Sequence, residues 1–440
     1  MPQHISRRFI GRTVLTLLSS VLATIALAAP ALADAPVVTL EDAVKLAETR
    51  TPTVYAAEAG ADAAQAQLNQ AWSARLPSLS ASGNVLVYPE EQSFELAPGV
   101  DVVVREQVTS SISARATLPL TGQFAIDRQV AAAKANRDAG RSSVDSAVLD
   151  ARWRAEDAWY AALQAERQLA NAQAQEGSLA TRVRTAQATH AAGALTRNDL
   201  LLAELALAQA KQGVLQLEAG RDAAYGALGL AIGTTDEPAR PGSAPAEAPS
   251  ARADVDALSE RAVGARPDLV ALRHRVDAAR ASAAAQSWSR LPSVSAMAVY
   301  QHAEGNGLFG EPDTMYAGAT LDWTVWAWGR AAAGVRAANA GATQIAAQLD
   351  AAEAGARLEV RTRARSLAAA VAGWEVAKGS IAQAEENLKI QAARQEAGSG
   401  TMQEVLDAEV TLLRARSNEA TALTDAWRAN AALERAVGGE

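Results

Sequence analysis

Two stretches of this 440-residue chain, about Gln123 to Ala191 and about Arg330 to Ala397, carry a helical pattern throughout and contain no proline. At a rise of about 1.5 Å per residue, each is a helix roughly 100 Å long. No globular core can wrap a rod of that length, so each must lie along other helices in a coiled-coil-like wall. The composition agrees: 49% of residues are hydrophobic, only 4% are aromatic, and Ala is the dominant apolar residue. Alanine has the best helix propensity and lets neighbouring axes approach closely. Each rod ends at a Gly-containing tip, "HAAGALTRNDLL" or "EAGSGTMQEVLD", from which a return helix runs to Ile232 or Val437.

The two rods belong to two copies of one unit. The phrase "RLPSLSA" from Arg75 returns as "RLPSVSA" from Arg290, and Pro52 matches Pro267 at the same offset of 215. Gly193 with Gly398, Thr196 with Thr401, Ala203-Glu204 with Ala408-Glu409, and Gly233 with Gly438 match at an offset of 205. The difference falls in a longer loop after Val87. The chain therefore divides into a first repeat over residues 34–232, a linker over 233–253 rich in Pro, Gly and Ser, and a second repeat over 254–440. Each repeat opens with a short helix: "TLEDAVKLAETRTP" carries a Thr39/Asp42 capping-box pattern, and "DVDALSERAVGARP" is its counterpart. The next helix ends at Pro77 or Pro292, because the residue before a proline is steered out of the helical region. RLPS is thus a helix-to-strand junction.

Beyond each junction the apolar period changes from 3.6 to 2, predicting one β-hairpin per repeat, over about 78–120 and about 293–326. In "TSSISARATLPL", Ile112, Ala114, Ala116 and Leu118 share one face, and Ser111, Ser113, Arg115 and Thr117 the other. Leu321, Trp323 and Val325 alternate with Thr320, Asp322 and Thr324 in the second. The first hairpin is expected to be bridged by an acidic loop near Tyr88 to Asp101, and the second by "QHAEGNGLFGEPDT". Four strands cannot close a membrane barrel, which needs about eight or more, so copies of the chain must supply the rest. With apolar faces outward, Arg115 and Asp322 line a polar lumen. Trp323, Trp326 and Trp328 then fall near the barrel's edge, as an interfacial girdle or as packing at the strand exit.

Residues 1–33 read as an export signal: Arg7, Arg8 and Arg12 precede an apolar run from Val14 to Ala29 and an Ala31-Leu32-Ala33 cleavage site. "SRRFI" is similar to a twin-arginine signal, but its hydrophobic pair sits one place early, which favours the general secretory route. With no cysteine there is neither a disulfide nor a lipid-bearing thiol. No later apolar run reaches the roughly 18 residues of a helical span, so membrane insertion would require a β-barrel. The net charge of −8 becomes −11 without the three signal arginines, which argues against nucleic acid as a partner.

The two-fold layout, the RLPSLSA and RLPSVSA junctions, the "PLTG" and "VWAWGR" strand exits and above all "GSGTMQEVLDAE" resemble the TolC family of outer-membrane efflux proteins. The resemblance covers nearly the whole chain after the signal. It implies an α+β membrane protein whose trimer forms a 12-stranded β-barrel in the cell outer membrane, continued by a periplasmic α-helical barrel. It implies an exit duct of a tripartite efflux or type I secretion system, working with a periplasmic adaptor and an inner-membrane transporter, with no cofactor. Glu404 and Asp407 align with the family's carboxylates at an iris-like tip, where rings of charge in a narrow lumen select cations. The same pair can also be read as a solvated helix face. Asp199 aligns with a family acid that latches the tip. Gly400 stands where well-known members carry the latch arginine, while Arg197 lies in the other tip. Gly193, Gly398 and Gly400 belong to the tips at which adaptor hairpins dock, although turn chemistry alone would ask for glycine there.

Other readings carry less. "GNGLFG", Gly305 to Gly310, matches a nucleotide fingerprint in form but is followed by Glu311-Pro312-Asp313 instead of a helix, which makes it a hairpin loop turned at Asn306-Gly307. The four histidines, His4, His190, His274 and His302, are far apart, and no phosphate-binding loop or zinc-protease motif occurs, so no enzyme site emerges. The alternative of a periplasmic adaptor or helical scaffold explains the rods but not the strand hairpins.

Overall fold

Thr39 starts the first helix, because its side-chain oxygen accepts the backbone N–H of Asp42 at 3.1 Å and satisfies a donor that the helix cannot. The protein's computed structural model describes residues 35–234, 237–243, 245–250, 254–307 and 310–439. The export signal of residues 1–33 and two residues of the Gly305–Gly310 loop lie outside them. Strand β1 (Val37–Val38) precedes α1 (Leu40–Arg50), and α2 (Pro52–Ser73) follows with Pro52 in its first turn, where a missing N–H goes unnoticed. After Pro77 come β2 (Ser78–Val87), β3 (Gln92–Ala97), β4 (Val100–Arg105) and β5 (Val108–Pro119). The rod α3 (Gln123–Ala191) then descends and α4 (Arg197–Ala231) returns. After β6 (Arg240–Pro241) the order recurs with α5 (Val255–Ala265), α6 (Pro267–Ser287), a single 3₁₀ turn, β7 (Ser293–Glu304), β8 (Asp313–Asp322), α7 (Arg330–Glu396) and α8 (Met402–Val437).

Neither rod is covered by one partner. The rod α3 packs against α2 near one end and α4 toward the other, while α7 does the same with α6 and α8. Between them, at mid-height, lies the waist. There Val38, Ala43, Ala47, Ala155, Trp159, Leu228 and Ile232 form one core, and Ala262, Val360, Leu367, Leu433 and Val437 form another. Leu228 and Leu433 stand 205 positions apart, as do Ile232 and Val437. The first core is the larger and includes Trp159, whose indole donates to the Val38 carbonyl at 2.9 Å, where the second has Ala364.

One four-stranded antiparallel sheet runs in the order β2-β5-β7-β8. Its register places Leu79, Ala81, Ala114, Ala116, Ala298, Tyr300, Met315 and Ala317 on one face. Among the described residues nothing pairs with the outer edges of β2 and β8, both ten residues long.

Three local expectations change. The acidic stretch after Tyr88 is not a plain loop: β3 and β4 pair across a Pro98-Gly99 turn, because the β-branched run of Val102, Val103 and Val104 provides a strand. Strand β8 stops at Asp322 and does not reach Val325. Asp322 pairs with Ser293, and the preceding Pro292 has no N–H to continue the ladder. The linker is not wholly irregular either, since Arg240 and Pro241 pair in parallel with Val37 and Val38.

Leu228 is fully buried in the first waist core. Leu228→Ala is expected to destabilise the protein by about 2–5 kcal/mol, the usual cost of a large-to-small core change. Thermal unfolding in detergent, followed by circular dichroism, reads this as a lowered midpoint; an unchanged midpoint would contradict a packed waist.

Candidate functional site

The tip between α3 and α4 is built by two turns of phrase in the sequence. Gly193 adopts a φ of +80°, which suits a residue without Cβ, and Thr196 caps α4 by accepting the Asp199 amide at 3.2 Å. Asp199 is too short to close a capping box and instead accepts the Thr196 hydroxyl at 2.6 Å. Leu195 holds the turn through a 2.8 Å hydrogen bond between its carbonyl and Nδ1 of His190.

The tip between α7 and α8 uses the same scaffold with different chemistry. Gly398 has a φ of +72°, and the amides of Ser399 and Gly400 both donate to the Arg394 carbonyl, at 2.9 and 3.0 Å. Glu404 is one methylene longer than Asp199 and completes the box: it accepts the Thr401 amide at 2.9 Å while Thr401 accepts its own at 3.2 Å. That hydrogen bond from the Thr401 backbone, aided by Arg394 at 4.0 Å, holds the Glu404 carboxyl below its usual range. A Cβ at Gly400 would stand 3.0 Å from the Gln395 nitrogen and 3.1 Å from Arg394 Cβ, so a side chain there would force the turn to shift. The positive charge of this tip therefore comes from Arg394, six residues earlier.

Both tips are joined by a shared core in which Leu179, Val183, Ala186 and Ala203 meet Met402 and Leu406. Asp199, Glu404 and Asp407 are thus carried on one packed block, but no hydrogen bond or ion pair joins Asp199 to either of the others among the described residues. Asp407 is exposed and accepts Nε2 of its helix neighbour Gln403 at 2.8 Å. Arg197, the first residue of α4, is exposed and makes no ion pair among the described residues.

Sequence reasoning passed over Glu409. It is almost fully buried between α8 and α3, where it accepts Ser178 Oγ at 2.8 Å and Arg182 Nη2 at 3.0 Å. A signal was present: Met402, Val405, Glu409 and Leu412 recur at the 3-4-3 spacing of a coiled-coil seam, which places a carboxylate in a core position. Farther up the same seam, Thr421 accepts from Gln164 and Gln168, Asp157 pairs with Arg428, and Asp150 pairs with Arg435. The α3 to α8 contact carries these polar rungs beside the apolar core at the tips and the stacked Tyr160 and Trp427, whereas α3 with α4 and α7 with α8 also meet through the smaller apolar clusters around Leu169 and Leu412.

On the sheet, the face opposite Leu79 and Met315 carries Ser80, Ser82, Ser111, Ser113, Arg115, Thr314 and Thr320, with Asp322 at its helix-proximal end. Arg115 lies across from Ser80 and Val299. The indole of Trp323 donates to the Arg290 carbonyl at 3.3 Å, which makes it part of the strand exit, while Trp326 and Trp328 stay exposed as an edge-to-face pair 5.9 Å apart.

A model of the family described as outer membrane efflux protein matches residues 43–234 and 258–439. Among solved structures, a membrane protein from Pseudomonas aeruginosa aligns with a TM-score of 0.78 at 21% identity, covering 91% of this chain and 93% of that one. The Campylobacter jejuni CmeC outer membrane channel aligns with a TM-score of 0.76 at 15% identity, over 91% and 85%. The open state of the Neisseria gonorrhoeae MtrE outer membrane channel aligns with a TM-score of 0.73 at 20% identity, over 91% and 89%. These likenesses show a common fold. No curated protein sequence matches the chain.

Two outcomes follow from the tip and its seam. Glu409→Ala leaves Arg182 without its carboxylate in the α3 to α8 contact and is expected to cost about 2–4 kcal/mol, whereas Glu204→Ala, at the exposed counterpart, stays within about 0.5 kcal/mol. Paired thermal melts test this, and equal losses would refute it. For Glu404 the folded carboxyl titrates below its ordinary 4.5, so its capping contribution is complete above that value and is lost as pH falls through the lowered one. The protection of the Thr401 and Glu404 amides, taken relative to intrinsic exchange at each pH, should therefore hold down to about pH 4.5 and fall only in more acid buffer.

Proposed function

Because the chain belongs to the outer membrane efflux protein family, we propose that it is a passive exit duct that carries cargo across the periplasm and the outer membrane. The carrying observation is the sheet: one apolar face, one polar face and two unpaired ten-residue edges, set at the end of helices roughly 100 Å long. A sheet in hydrocarbon must close on itself, because an edge there leaves backbone groups with no partner. Three copies of a four-stranded sheet supply twelve strands, which is ample for a wet lumen. In that trimer the polar face, with Arg115 and Asp322, lines the pore. The apolar face meets outer-membrane lipid, and the helices continue the wall into the periplasm.

The tips form the periplasmic gate. Three copies bring rings of Glu404 and Asp407 together, and the field of several carboxylates adds in a confined lumen. Asp407 is the stronger candidate for selectivity, since Glu404 is already engaged by its own cap and by Arg394. Asp199 holds its tip through Thr196, so the closing contact differs from an arginine latch. The turns at Gly193, Gly398 and Gly400 offer exposed backbone to the hairpin of a periplasmic adaptor, which links the duct to an inner-membrane transporter in a tripartite efflux or secretion assembly. Energy for transport comes from that partner.

Single-channel recording of the purified protein in a planar bilayer tests the reading. A small cation-selective current that multivalent cations block, and that grows and loses this block in Asp407→Asn, is the expected result. The absence of any pore would overturn the duct, and a pore indifferent to Asp407→Asn and to Glu404→Ala/Asp407→Ala would remove the gate.

A further inference from the structure

Where β8 ends and α7 has not begun, a cavity of about 1000 Å³ opens between the start of α3, the end of α6 and residues 322–324. Three aromatic side chains contribute to its walls. Phe124 and Trp288 stack with ring centroids 5.1 Å apart and planes 14° from parallel. Trp323 supplies a third ring, fixed by the hydrogen bond from its indole to the Arg290 carbonyl at 3.3 Å. This fixity has a local cause: β8 has lost its ladder partner at Pro292, so the chain after Asp322 is free to fold back over the 3₁₀ turn at the end of α6.

Among the described residues Asp322 is the only charged one in the lining. Ser293 Oγ engages its backbone oxygen at 3.3 Å, but its carboxylate has no hydrogen-bond or ion-pair partner among the described residues. Gln129 and Gln286 add amide groups to the same wall. A cleft in this size range that sets aromatic rings among convergent polar groups has the two elements of a small-molecule site: faces for affinity and polar groups for orientation. Aromatic faces attract cations through the ring quadrupole, and a lone carboxylate adds one unit of opposite charge.

We infer that this cavity binds a planar aromatic organic cation carrying a single positive charge. An outer face of the Phe124 and Trp288 stack, together with the Trp323 ring, matches a flat ligand, and a single carboxylate matches one charge. An anion meets repulsion, and a neutral ring displaces water from Asp322 without replacing its charge. An inorganic cation or a compact ammonium ion makes no use of the rings. The inference rests on the channel reading in one respect: Asp322 and Ser293 oppose each other on the polar face, so an occupied cavity narrows the lumen.

The test uses ethidium as the probe on the detergent-purified full-length trimer, with binding read by fluorescence anisotropy and pore current in a planar bilayer. Saturable binding is expected, weakened about tenfold in Asp322→Asn and about fivefold in Phe124→Leu, with tetraethylammonium failing to compete. Ethidium should also reduce the current of the parent pore and leave the Asp322→Asn pore unaffected. Binding that is equal in parent and Asp322→Asn, or competition by tetraethylammonium, would overturn the site. So would a pore-forming trimer that takes up no ethidium, the result expected if a neighbouring copy fills the cavity. Ethidium binding by a protein that forms no pore would leave the site standing and remove the channel reading instead.

Discussion

A backbone N–H or C=O without a partner costs several kcal/mol in hydrocarbon, and the outer edges of β2 and β8 present two such rows, each ten residues long. Soluble proteins blunt an exposed edge with charge, proline or a covering helix. Between Ser78 and Val87 the edge strand β2 carries no charged residue and no proline, and its side chains are exposed throughout. In the proposed duct the two edges satisfy one another across copies of the chain, and their length sets how tall the closed sheet can be. At about 3.4 Å per residue, ten untilted residues match the roughly 30 Å of a bilayer's hydrocarbon core, and the usual tilt brings the span closer to the shorter apolar band of outer-membrane barrels.

The helical part answers a different constraint. A rod of 69 residues has more surface than one partner can cover, and the chain solves this by laying shorter helices of both repeats along it, α2 and α6 toward one end and α4 and α8 toward the other, with the waist between them. Within each antiparallel pair the contact is apolar and close-packed. Between the pairs, polar rungs run from Arg182 and Glu409 up to Asp150 and Arg435, above the apolar core that α3 and α8 share at the tips. An apolar seam loses contact energy as soon as it parts, while polar rungs can exchange partners with water at little net cost. The rungs above the tips are therefore the part of the seam that costs least to separate, and Glu409 is the exception. There desolvation makes separation expensive, and the seam is stiffest close to the tips.

Much of this was legible from residue patterns that act locally. Thr39, Thr196 and Thr401 set their helix starts through hydrogen bonds only three residues long, and Pro77 and Pro292 end helices by excluding the preceding residue from helical geometry. The β3 to β4 pairing was less legible because charges at Glu90, Glu91, Glu95 and Asp101 mask a short β-branched run. The end of β8 depends on where β7 begins, which is a property of the partner strand and not of Trp323 to Val325. At the tip, the sequence leaves open whether Arg197 stands in for the missing arginine, and only the fold places Arg394 4.0 Å from Glu404, through a turn that the sequence does not fix. Glu409 shows the limit most clearly. Its heptad position was visible, yet its partners Ser178 and Arg182 lie more than 200 residues away and become neighbours only when the pairs dock.

The two copies of the scaffold are most informative where they differ. Thr196 and Thr401 cap their helices alike, but an aspartate follows the first and a glutamate the second, so one tip holds a hydroxyl and the other closes a full box and engages an arginine. Glu204 stays on the surface with Gln187 while Glu409 is buried. The waist shows the same division, with Trp159 filling the first core and Ala364 the matching place in the second. A helix pair that met its neighbours identically in both copies would build a uniform wall with no preferred place to open. Unequal tips and unequal cores give each position in the wall its own stability, and the most differentiated positions, the α8 tip and the α3 to α8 seam beside it, are those that the proposed gate requires.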